Sequence, residues 1–161
     1  MNIESAQFGS IDIDERQLIT FDNGIPGFES YRIFALLTPN AQMPFSFLQS
    51  LDDKIVAFIL TNPFLFYPEY EFELHEEAAE LLRIRSQEEV TVWSIVSVGS
   101  HMSDSTLNLL APVIINPISR KGKQVILHGS GYLTKHPLRP NNMDSANSTE
   151  VKENANAGLD A

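Results

Sequence analysis

The chain has 161 residues, no cysteine and a formal net charge of -10. That length fits one domain able to bury roughly two-thirds of the surface of its unfolded chain, and the missing cysteines exclude disulfides, thiolate metal sites and thiol catalysis while fitting a reducing cytosol. The acidic balance opposes a phosphate backbone, so it argues against nucleic acid as a direct ligand; it is compatible with a basic protein partner and equally with acidity that serves only solubility.

The N-terminus carries Glu4, Asp12, Asp14 and Glu15 without a basic start or an apolar core, so it does not read as a signal peptide. Ile11 and Ile13 alternate there with Asp12 and Asp14, as in a half-buried strand. Next comes Phe21-Asp22-Asn23-Gly24-Ile25-Pro26-Gly27-Phe28-Glu29. Gly24 takes φ > 0 at little cost and Pro26 fixes its own φ. The segment is shaped backbone held by Phe21 and Phe28, a corner of the fold more than a reactive site.

Short runs rich in Val, Ile and Phe predict strands over 31–37, 45–48 and 55–60. The run Ile55-Val56-Ala57-Phe58-Ile59-Leu60 is the longest apolar one and falls far below the ~20 residues of a membrane span. The protein therefore reads as soluble and cytoplasmic, with no membrane contact. After it, Asn62-Pro63-Phe64-Leu65-Phe66-Tyr67-Pro68 sets two prolines around an aromatic loop. Its large side chains cannot all point inward. Some are left as an exposed patch, and Phe64 and Phe66 are the better candidates for plugging a barrel end.

Glu69-Tyr70-Glu71-Phe72-Glu73-Leu74 alternates strictly. On an extended strand the glutamates share one face, ~6–7 Å apart, and each neighbouring pair repels by only ~0.6 kcal/mol in water. A solvated strand face tolerates that. The functional alternative is a docking strip for a basic partner with an aromatic anchor. One helix follows, because Leu74, Ala78, Leu81 and Leu82 form an apolar stripe opposite Glu76, Glu77 and Glu80. The first glutamates suit its positive N-terminal end, and Arg83 and Arg85 its far end. Burying its leucines contributes roughly 1.5–3 kcal/mol each, so packing makes this helix.

Residues 90–98 carry apolar side chains on both faces and predict a central strand; 112–115 and 123–127 predict two more. After Pro137 the chain turns to Asn, Ser, Ala and acids, which reads as a flexible tail. Many short strands with one short helix give a mainly β fold: a small antiparallel β-barrel-like domain, partly open or split, over 1–138, with a disordered tail over 139–161.

Catalytic patterns fail one by one. His75-Glu76-Glu77-Ala78-Ala79 starts like a zinc-protease helix, but Ala79 stands where the second histidine belongs. Gly129-Ser130-Gly131 matches neither a nucleophile elbow nor a dinucleotide fingerprint and reads as a turn. His101-Met102-Ser103-Asp104-Ser105 is a polar loop, since adjacency in sequence is not triad geometry. Arg120-Lys121-Gly122-Lys123 lacks a P-loop frame and reads as a charged hairpin turn. No enzyme, metal or cofactor is expected.

Five blocks then occur in order: Phe21 to Glu29; Phe47-Leu48-Gln49-Ser50-Leu51-Asp52-Asp53; Asn62-Pro63 with Pro68-Glu69-Tyr70-Glu71-Phe72; Leu107-Asn108-Leu109-Leu110-Ala111-Pro112-Val113-Ile114-Ile115-Asn116; and Gly122-Lys123-Gln124-Val125-Ile126-Leu127. Together they resemble the FliW family of flagellar assembly factors over residues 1–138. Glu69 departs mildly from a position that is often Asp in the family, and the tail is unmatched. The resemblance implies a non-enzymatic cytoplasmic β-barrel protein that binds flagellin in a chaperone-like way. It also implies binding of the RNA-binding repressor CsrA, which relieves repression of flagellin translation. The residues expected to meet partners are Asn62, Pro63, Leu65, Tyr67, Glu69, Tyr70, Glu71, Glu73, Glu76 and Glu80, the acidic ones toward CsrA and the loop toward flagellin. The alternatives are an FMN-binding split barrel, whose phosphate would need the cluster Arg120, Lys121 and Lys123, and an oligonucleotide-binding barrel or other small β-barrel binding module.

Overall fold

The computed structural model describes residues 1–138, so the expected tail over 139–161 lies outside the described residues. The strands among them are β1 (Asn2–Ser5), β2 (Gly9–Asp12), β3 (Leu18–Thr20), β4 (Ile33–Leu37), β5 (Phe45–Ser50), β6 (Ala57–Thr61), β7 (Thr91–Ser97), β8 (Thr106–Leu107), β9 (Val113–Asn116), β10 (Lys121–Gln124) and β11 (His136–Pro137); the helix α1 spans Glu76–Leu81. β3 to β7 form an antiparallel meander, β7 pairs with β9 and β9 with β10. The ring closes where β10 meets β3 in parallel through Lys121 and Thr20. The barrel is therefore closed, with seven strands, where the sequence left it partly open. Closure removes the sheet edges that an open sheet would expose.

Three apolar clusters follow from strand alternation. Ile19, Phe21, Ile25, Phe34, Leu48, Leu60, Val113 and Ile115 fill the barrel interior. Ala35 and Leu37 lie on its outer face under the β1–β2 hairpin, whose Ile3 packs there with Ile13. Ile114 and Val96 also face outward, and the excursion between β6 and β7 covers them with Phe66, Tyr70, Ala78 and Leu82. β7 pairs with β6, β8 and β9, so it is central as its two apolar faces require.

The turn after β3 plugs the interior. Phe21 is fully buried and Ile25 nearly so. Gly24 has φ +69, and a Cβ there would lie 2.6 Å from the Cα of Glu29. Phe28 departs from the sequence expectation. Its ring stands edge-on to Phe58 at 5.1 Å at the barrel mouth and stays 38% exposed.

The helix is shorter than its stripe. Leu74 precedes it, His75 is its N-cap, and Arg83 turns the chain with φ 57. Arg83 and Arg85 thus lie beyond the last turn and not within it. Buried Asn116 supplies the stop, its Nδ2 donating to the carbonyl of Leu82 at 2.9 Å. The turn before β10 ends at Arg120 with φ 58, and β10 begins at Lys121, two residues earlier than the pattern indicated.

Candidate interaction surface

The excursion from Thr61 to Val90 is built by a few local rules. Asn62 accepts a hydrogen bond from the Phe64 N–H at 2.9 Å and caps a 3-10 turn over Pro63–Leu65. Pro63 sits at the start of that turn, where its missing N–H costs nothing. Three residues per turn put 63 and 66 on the same side. Pro63 and Phe66 are therefore buried, while Phe64 and Leu65 face out, 39% and 54% exposed. This corrects the expectation that Phe64 would plug the core.

Two of the expected contact aromatics are structural. The Tyr67 hydroxyl donates to the Pro137 carbonyl at 2.7 Å, and its ring meets His136 edge-on at 5.5 Å. Tyr70 is 4% exposed, and its hydroxyl donates to the Leu109 carbonyl at 2.8 Å. Burial pushes its phenol well above the ordinary tyrosine range. Neither is an exposed anchor. The His136 imidazole is held below its ordinary value by burial, and its Nε2 accepts the Leu133 N–H at 2.9 Å.

Residues 69–74 keep the burial alternation of a strand, with Glu69, Glu71 and Glu73 out and Tyr70, Phe72 and Leu74 in, yet they join no sheet. Glu76 and Glu80 are exposed on α1, away from buried Ala78 and Leu82.

Between this segment and the outer face of the barrel runs an open groove of about 1110 Å³, lined by Phe64, Phe72, Leu74, Ile84, Val92 and Ile114 among others. Asn62, Tyr70, Glu71 and Glu73 line it too; Pro63, Leu65, Tyr67, Glu69, Glu76 and Glu80 do not. Trp93 and Arg85 also line it. Phe72, Ile84, Val92 and Trp93 were not among the expected contact residues, because nothing local distinguishes an apolar groove from an apolar core.

The groove sits in an acidic field. Residues 69–89 hold eight glutamates against two arginines. The ion pairs among the described residues are Arg16–Asp14 and Lys121–Asp22, so none offsets these glutamates. Two of the three cations that a flavin phosphate would need, Arg120 and Lys121, are engaged elsewhere. Lys121 Nζ lies 2.7 Å from the Asp22 carboxylate, and Arg120 donates to the Glu15 carbonyl at 3.0 Å. Among the described residues no group of three or more His, Cys, Asp or Glu could hold a metal ion, and no helix is long and apolar enough to cross a membrane. What the arrangement offers is an apolar trough with a negative rim.

Comparison with known proteins gives a consistent result. The family described as FliW protein matches residues 2–138. A flagellar assembly factor FliW of Anoxybacillus flavithermus is 42% identical over 145 residues, covering 90% of this chain and 99% of the relative. Its counterpart in Bacillus subtilis is 43% identical over 138 residues, covering 86% and 96%. A crystal structure of the flagellar assembly factor FliW superposes with a TM-score of 0.81 at 38% identity, covering 87% of this chain and 98% of that one.

Proposed function

The chain belongs to the FliW family of flagellar assembly factors, and on that premise we propose that it is a cytoplasmic, non-enzymatic protein that binds flagellin in a chaperone-like way and binds the translational repressor CsrA. Bound CsrA no longer represses flagellin translation. Accumulating flagellin competes for the factor, releases CsrA and closes the loop.

The observation that carries this reading is the acidic, unpaired rim around an apolar groove. An RNA-binding partner is basic, so a negative rim steers it into contact and opposes RNA electrostatically once the two are bound. The exposed Phe64 and Leu65 next to the groove supply apolar area for flagellin. The test is calorimetric titration of each partner at rising salt. CsrA affinity should fall about tenfold or more between low and high salt, because exposed charges are screened within about 8–10 Å. The triple change Glu69→Gln, Glu71→Gln, Glu73→Gln should flatten that dependence. An affinity independent of salt would overturn the electrostatic part, and failure to bind either protein would overturn the whole.

A further inference from the structure

We propose that the groove accepts an extended segment of a partner chain, basic and apolar at alternate positions, which adds as a strand alongside residues 72–74. This deepens the reading of the groove as a partner surface and rests on it.

Three observations carry the inference. Glu71, Phe72, Glu73 and Leu74 line the groove and alternate out and in, as the side chains of a strand do. Yet among the described residues Phe72, Glu73 and Leu74 have no backbone–backbone hydrogen bond to another strand. Extended backbone of that kind is a template for strand addition, in which main-chain bonds give affinity and alternate side chains give specificity. In the closed barrel the strands have neighbours on both sides except at Thr91–Trp93 of β7, which pairs with β9 alone and lines the same groove.

The charge and shape of the site then define the occupant. Glu71 and Glu73 line it and outnumber Arg85, the one cation there, so its outward side chains should be Lys or Arg. Val92, Ile114 and Phe72 supply the apolar floor, so its inward side chains should be apolar. A volume of about 1110 Å³ in an open trough suits several side chains of a peptide better than one compact small molecule.

Trp93, the only tryptophan, lines the groove and reports on it by fluorescence. The probes are peptides of about eight residues (~27 Å extended) alternating valine with lysine, and the same length alternating valine with glutamate. The valine–lysine peptide should bind saturably and shift Trp93 emission; the valine–glutamate peptide should not. Successive N–H groups of a strand point to opposite sides. N-methylation of one alternate set should therefore weaken binding by about tenfold, and of the other set leave it nearly unchanged. Equal loss or no loss from both sets overturns strand addition. So does tighter binding of a leucine–lysine amphipathic helix. A protein that binds flagellin or CsrA yet ignores the valine–lysine peptide overturns this inference and leaves the partner reading standing.

Discussion

Gly122 lies in β10 facing the barrel interior, where the ring of Phe21 occupies the space a side chain would fill. A Cβ at 122 would stand 2.6 Å from Phe21 Cζ and 2.9 and 3.0 Å from its two Cε atoms. Comfortable carbon contacts begin near 3.5 Å, so Gly122→Ala overpacks the core. The ring has no room to withdraw, being fully buried with Phe34 edge-on at 5.4 Å. Overpacking of this kind costs about 1–3 kcal/mol. Alanine returns about 0.4–1 kcal/mol by restricting the unfolded chain, because Gly122 does not need positive φ. The net expectation is a loss of about 1–2 kcal/mol, or about 3–8 °C in Tm for a chain of this size. Phe21→Leu alone should also destabilise, by leaving a cavity. Combined, the two changes should cost less than their sum by about 1 kcal/mol, because the shorter side chain vacates the space the new methyl needs. Urea unfolding followed by Trp93 fluorescence measures all four proteins, and the comparison holds if the m-value is unchanged. Strict additivity, or a Gly122→Ala protein as stable as the parent, would refute the interior placement of Phe21 against β10.

Asn116→Ala should cost about 2 kcal/mol, because buried Asn116 both donates to the Leu82 carbonyl at 2.9 Å and accepts from the Ile118 N–H at 3.0 Å; a urea midpoint equal to the parent's would contradict its role as the stop of α1. His136 has a folded-state value below its ordinary 6.5, so its contribution is fully present above pH 6.5 and is lost as pH falls through the folded value, when Nε2 gains a proton and can no longer accept the Leu133 N–H. His136→Gln should flatten that slope of stability between neutral and mildly acidic pH, and an unchanged slope would assign it to other groups. Asp14 is held at about 2 instead of 3.8 by hydrogen bonds from Arg16, so its contribution is present above 3.8 and is lost only as pH falls from there toward 2; Asp14→Asn should remove that lower step and leave the His136 step intact, as acid unfolding curves would show.

The sequence by itself determined the kind of fold and its sidedness. Val92, Trp93, Ile95 and Val96 made β7 apolar on both faces, and the structure places strands or covering segments on every side of it. The order of Glu and apolar residues over 69–74 fixed which side chains face water, although no partner strand lies beside them. Periodicity encodes which way a side chain points because it depends only on backbone geometry. It does not encode what lies opposite. Ring closure rests on Lys121 meeting Thr20 a hundred residues apart, and short β3 and β10 carry no alternation long enough to announce it. The same limit hid the acceptor of the Tyr70 hydroxyl, the Leu109 carbonyl, and the exposure of Phe64, set by a single 3-10 turn. An apolar residue lowers its free energy against any apolar neighbour, so whether it ends in a core or in a groove is decided only when the covering segments have docked.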